Sequence, residues 1–252
     1  VRIRTAVVAV CSALAALVIG IPPAQAQTGD LRIYNVTFNG GNKYITVSAT
    51  GAVTVTATLA ASDDAGIGKV FIGMTREGPN GELYDALHKY ATCKAWNATT
   101  STCRWSVPLD PKEFMRNRSA GIWEVTIQVQ TDNDLLSHDP YQTVLVRRKS
   151  VLSINATPEP VTKNAPITVT GTIKRADWTK NTYVANSGVS VKLQFKKSGT
   201  STWTTVKTVK SSSTGALRTT VPATADGTWR WHYSGSLTTA PWGSNGDFVD
   251  VR

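Results

Sequence analysis

The chain has 252 residues, with 27 lysines and arginines against 17 aspartates and glutamates, for a net charge of +10. That length supports one large domain or two ordinary ones. Cysteine is scarce, the spacing from Cys93 to Cys103 is wrong for zinc and no histidine lies beside either, which excludes a zinc module.

Arg2 and Arg4 precede the apolar run from Ala6 to Ile19, and Pro22-Pro23 then leads to Ala24-Gln25-Ala26. This is the pattern of a secretory signal peptide over residues 1–26, cut so that Gln27 becomes the first residue. The run is too short for a good membrane span, so no stable span is expected after cleavage. Val1 fits a GUG start codon and hence a bacterial source. The expected location is extracellular or on the cell envelope. Cys11 leaves with the signal, so Cys93 and Cys103 remain as one pair, and an exported pair reads as a disulfide. A bridge over a loop of about ten residues contributes roughly 2–3 kcal/mol in the chain-entropy model.

Beyond residue 30 almost nothing has helical periodicity. Val, Thr and aromatic residues alternate in short runs broken by Gly, Asn, Ser and Pro, the pattern of an all-β sandwich. Ala52–Leu59 and Ile167–Ile173 read as one strand in two copies, and Ala120–Val125 matches Asp226–Trp231. Similar order and spacing argue for two copies of one domain type. Trp229 and Trp231 take the places of the corner tyrosine and inward cysteine of an immunoglobulin F strand. The expected architecture is all-β: two tandem immunoglobulin-like β-sandwich domains, over 27–148 and 149–252, after a cleaved signal peptide. The charged run Val146-Arg147-Arg148-Lys149-Ser150 marks the boundary, and so short a linker implies stacked domains. Charge is uneven: residues 27–150 hold 13 basic and 12 acidic residues, whereas 151–252 hold 12 and 5.

The segments "NATPEPVTKNAPITVTGTIKRADW", "VSVKLQFKKSGTSTWTTVKTV" and "STGALRTTVPATADGTWRWHYSG" resemble the C-terminal domain of secreted streptomycete two-domain proteins of unknown role. The resemblance covers most of 151–252 closely and the first domain more loosely. It implies the fold and secretion. Related members are sometimes labelled calcium-binding proteins, which makes calcium an implied ligand and brings no catalytic motif.

Chemistry is sparse. No G-x-S-x-G elbow or H-E-x-x-H motif occurs, and Glu124, between inward Trp123 and Val125, faces water. The expectation is a protein that is not an enzyme and needs no cofactor, with calcium as the one alternative. Calcium takes six to eight oxygens, and the acidic loop clusters Asp63-Asp64 and Asp132-Asn133-Asp134 are its candidate ligands. Equally, Asp and Asn are ordinary turn residues.

Among the tryptophans, Trp123, Trp203, Trp229 and Trp231 are read as core. Trp178 and Tyr183 lie in the loop expected between strands B and C, and Trp242 in that between F and G, at one end of the second sandwich. They form either an exposed ligand site or a contact with the first domain's "PLDPKEFMRNRSAG" segment. Strand alternation sends Lys192, Lys196, Arg230, His232 and Phe248 outward on one sheet of the second domain, a basic, aromatic-containing face.

The reading that follows is a secreted binding or cell-envelope protein acting through this basic face. Its partner would be a cell-wall polyanion or glycan, or another exported protein; no specific nucleic-acid motif occurs. The rivals are a calcium-stabilised envelope module, a protease inhibitor presenting the Cys93–Cys103 loop, and a hydrolase with a non-local site. Fold class does not choose among them.

Overall fold

The computed structural model describes residues 30–252. The expected signal peptide at 1–26, with Cys11 and the cut before Gln27, lies outside the described residues.

The first sandwich holds nine strands: β1 (Arg32–Phe38), β2 (Tyr44–Val47), β3 (Val53–Ser62), β4 (Lys69–Glu77), β5 (Leu83–Tyr90), β6 (Thr92–Ala95), β7 (Thr100–Leu109), β8 (Gly121–Gln130) and β9 (Leu135–Arg148). One sheet has the order β1-β3-β7-β6, the other β2-β9-β8-β4-β5. The first described strand lies in the first sheet, and the chain crosses to the second after β1, where β2 runs parallel to the end of β9. Asn39, Gly40 and Gly41 make that crossing in left-handed conformations, which Gly adopts freely and Asn tolerates. Period-two alternation builds the core: Val55, Ala57, Leu59 and Ala61 of β3 are buried, as are Trp123, Val125, Ile127 and Val129 of β8.

The second sandwich repeats the plan with β10 (Ser150–Thr157), β11 (Pro166–Asp177), β12 (Thr182–Ala185), β13 (Ser190–Lys197), β14 (Thr204–Lys210), β15 (Ala216–Pro222), β16 (Gly227–Tyr233), β17 (Trp242–Gly243) and β18 (Asp247–Val249). Strand β11 lies between β10 on one edge and β15 and then β12 on the other. The facing sheet runs β14-β13-β16, with β17 and β18 along the free edge of β16. Both halves are immunoglobulin-like β-sandwiches. The repeated sequence segments fall on equivalent strands, β3 with β11 and β8 with β16.

Cys93 and Cys103 are bonded and directly opposite on β6 and β7, so the disulfide braces one hairpin and does not join the sheets. The second sandwich is held across its layers by Trp231, fully buried, whose indole Nε1 donates to the Thr170 carbonyl at 3.0 Å. Gly171, at the middle of β11, makes that seat: a Cβ there would collide with the Ser153 carbonyl and the Trp231 ring. One expectation of the sequence is corrected. Trp203 is not core. It precedes β14, off the regular alternation, and lies half-buried against Lys196 and Arg230.

The Gly171 seat gives a direct test. Gly171→Ala should destabilise the protein by about 1–3 kcal/mol, the usual effect of forcing extra volume into a filled core. Denaturant unfolding of parent and variant measures it, and an unchanged midpoint would show that Trp231 has room to spare.

Candidate functional site

Three places in the fold bring chemistry-bearing side chains together. The first is the junction of the sandwiches. Only Lys149 separates β9 from β10, so the β7–β8 segment of the first domain meets the β11–β12 turn of the second. Trp178 is fully buried there, within the hydrophobic cluster that contains Met115 and Trp123 of the first domain. Its Nε1 donates to the Ser48 carbonyl at 2.9 Å, and its backbone N–H donates to Asn117 Oδ1 at 3.0 Å. Asn117 Nδ2 in turn donates to Asp177 at 2.9 Å, and Asn181 Nδ2 to the Pro111 carbonyl at 3.0 Å. Burial by itself would raise the Asp177 carboxyl. Donation from Asn117 and from the Lys180 and Thr179 N–H groups outweighs that and holds it below its ordinary value.

Trp178 is therefore not available to an exposed ligand site. Trp178 belongs to the first domain's core, and Tyr183 packs partly against the same cluster. Trp242 sits apart on β17, partly exposed, with Lys149 Nζ 5.0 Å from its ring centre. The short linker is the cause: it presses the Trp178 side of this end onto the neighbouring domain.

The second place is acidic. Asp30, Asp63 and Asp64 bring carboxylate oxygens within 4.8 Å of one another. Asp30, which sequence reading did not single out, joins through the fold: its Oδ1 accepts from the Asp64 N–H at 3.2 Å. Asp132 and Asp134 are not members of this triad. They belong to a turn in which Thr131 and Asp134 bond each other. Asp63 is almost fully buried, and one of its oxygens, Oδ2, has no hydrogen-bond partner. Burial pushes its carboxyl above the ordinary value. The Ala65 N–H works against this, and the nearby Asp30, Asp64 and Asp134 add to it.

The third place is the outer face of the β14-β13-β16-β18 sheet. Lys192 lies opposite His232, Gln194 opposite Arg230 and Lys196 opposite Thr228, which is itself opposite Phe248. Alternation thus puts Lys192, Lys196, Arg230, His232 and Phe248 on one face, Phe248 half exposed. Arg230 is the centre. Its Nε donates to Gln194 Oε1 at 2.8 Å, and its guanidinium lies 4.0 Å from the centre of the Trp203 ring. Lys196 Nζ approaches the same ring at 5.1 Å. Such contacts contribute about 0.5–2 kcal/mol and fix long side chains in place. Sequence reading missed Trp203 as a member of this face. Among the described residues the one ion pair is Arg252 with Asp250, so no carboxylate pairs with these cations. Burial lowers the His232 imidazole below its ordinary value, and Arg230 and Lys192 add to the effect.

Two further observations bear on compartment and partners. The disulfide is the chemistry of an oxidising environment. Trp96, at the tip of the hairpin it braces, is 83% exposed. Among the described residues no helix is long and apolar enough to cross a membrane.

No protein-family model and no curated protein matches the chain. Among solved structures it is similar to latent PorU from Porphyromonas gingivalis, with 15% identity and a TM-score of 0.31 over 88% of this chain and 20% of that one. The D00-D0 domain of intimin gives 14% identity and a TM-score of 0.30 over 85% and 98%. A chain of the crystal structure of a mouse coronavirus receptor-binding domain complexed with its murine receptor gives 13% and 0.35 over 86% and 100%. The chain spans 20% of PorU and 14% and 15% of two structures of Escherichia coli alpha-2-macroglobulin, native and trypsin-activated. At these scores the likenesses transfer no function.

The acidic triad yields a pH prediction with a defined sign. An acid whose pKa is raised on folding binds its proton more tightly in the folded state. Its ionisation therefore lowers stability as pH rises from the ordinary carboxylate range through the raised value. Asp63→Asn keeps an acceptor for Ala65 and removes the ionisation. The melting temperature of the variant relative to the parent should rise across that pH range and then level off. A constant difference from acid to neutral pH would mean that Asp63 ionises without cost.

Proposed function

We propose that this chain is a non-enzymatic binding protein of the bacterial exterior, exported and held near the cell envelope, which captures an anionic polymer on the outer face of its second domain. The observation that carries this reading is the unpaired cationic row of Lys192, Lys196 and Arg230, with Arg230 already clamped between Gln194 and the Trp203 ring. A cation held in place before binding loses little freedom when an anion arrives. Phe248 on the same face offers an apolar surface to the backbone of a glycan or polyol-phosphate chain. The excess positive charge of residues 151–252 draws such a polymer to this domain. Export accords with the disulfide.

A calcium-stabilised module is the second reading, favoured by one observation, the unpartnered buried oxygen of Asp63 beside Asp30 and Asp64. Under it, millimolar calcium would abolish the pH-dependent cost assigned to Asp63, because a cation would neutralise the carboxylates that now repel.

The primary reading predicts retention on immobilised heparin or teichoic acid that weakens with salt, since exposed charges are screened over about 8 Å at physiological ionic strength. Replacing Lys192, Lys196 and Arg230 with Ala should move elution to markedly lower salt. Retention should also strengthen as pH falls through the lowered pKa of His232, because protonation adds a cation to the face. If the triple variant elutes with the parent, the basic face is not the binding site.

A further inference from the structure

The first domain carries a groove on the outer face of its larger sheet that the basic-face reading does not use. It begins with the alternation of β4. Val70, Ile72 and Met74 enter the core, so Lys69, Phe71, Gly73 and Thr75 face out. Gly73 lies opposite His88 on the edge strand β5 and Thr126 on β8. With no side chain there, the Phe71 ring leans over the Gly73 backbone and forms the floor of the groove. An added Cβ would stand 3.3 Å from the Phe71 ring. Phe71 is near-parallel to His88 at 5.8 Å and edge-on to Tyr90 at 6.0 Å, which makes one bank aromatic. His88 and Tyr90 are exposed.

The opposite bank is polar. Gln128 and Gln130 face out on β8, Asp132 and Asp134 close one end, and Asp139 is held by the Thr126 hydroxyl at 2.7 Å. The enclosed space is about 520 Å³, within the ordinary range for ligand pockets of about 300–1,000 Å³. A pyranose ring has two apolar C–H faces and a rim of hydroxyls. It packs against aromatic side chains on one side and is held by planar amides or carboxylates on the other, each able to engage two neighbouring hydroxyls. This groove supplies both. Three carboxylates against the single ammonium of Lys69 make it hostile to the polyanions that suit the second domain.

We infer that the outer groove of the first domain is a second binding site, for an uncharged glycan chain whose sugar ring packs against the aromatic bank of Phe71, His88 and Tyr90. The site is independent of the basic face, so failure of one leaves the other intact. Calorimetric titration of the purified protein with cellohexaose, laminarihexaose and chitohexaose tests it. Saturable binding of at least one is expected, insensitive to sodium chloride and weakened at least tenfold in Tyr90→Ala and in Gln128→Ala. Both are outward-facing residues, and circular dichroism verifies that each variant folds. Heparin retention should stay at the parent level in both. No heat from any of the three sugars, binding that survives both substitutions unchanged, or binding of oligolysine in place of the sugars would overturn the assignment.

Discussion

Trp178 decides how this molecule is put together. It is encoded in the second domain and buried in the first, so neither sandwich completes its end without the other. Burying such a side chain contributes roughly 1.5–3 kcal/mol. The hydrogen bonds around it are directional: Trp178 reaches Ser48, Asn117 reaches Asp177, and Asn181 reaches Pro111. The linker adds its own ties. The Arg148 N–H donates to the Thr238 carbonyl, the Arg148 carbonyl accepts from the Ala240 N–H, and the Ser150 hydroxyl donates to the Ala240 carbonyl. Domains within one chain ordinarily move on each other unless their interface is apolar and extensive. Here apolar burial, amide geometry and a one-residue linker act at the same point.

A fixed junction gives the proposed binding surfaces a constant relation. The two domains share one plan, yet their outer sheet faces differ in chemistry. The second presents unpaired cations braced by Trp203. The first presents an aromatic trough edged by amides and carboxylates. This difference follows from side chains at equivalent outward positions, which the sandwich leaves free once its inward positions are filled. The combination suits a protein that meets a composite surface, with one polymer charged and another neutral.

How much of this was legible in the sequence follows from the range of each interaction. Strand alternation is local, so Val55–Ala61 and Trp229–Trp231 could be read as core, and Lys192, Lys196 and Arg230 as one outward set. The junction was legible as one of two alternatives for Trp178, because the linker's shortness is also local. Trp203 was misread because it stands just before β14, beside a strand pair whose register shifts between Leu193 and Gln194, and period two does not apply there. The acidic triad needed Asp30 to meet Asp63 and Asp64 through tertiary folding, while Asp132 and Asp134, which looked alike in sequence, fall in a separate turn at the end of the first-domain groove. The groove is the least local feature. It depends on β5, β4 and β8 lying side by side, and its one sequence signal was a glycine in the middle of the apolar run "VFIGM".

Small-angle X-ray scattering of the protein beside Trp178→Ala tests whether this tryptophan locks the two domains together. Truncating a buried tryptophan removes about 3–5 kcal/mol, enough to open the junction while each sandwich keeps its own core. The account predicts that the parent scatters as one rigid two-domain particle and that the variant, still β-folded by circular dichroism, becomes more extended and flexible. A parent already flexible between its domains, or a variant with an unchanged profile, would contradict it.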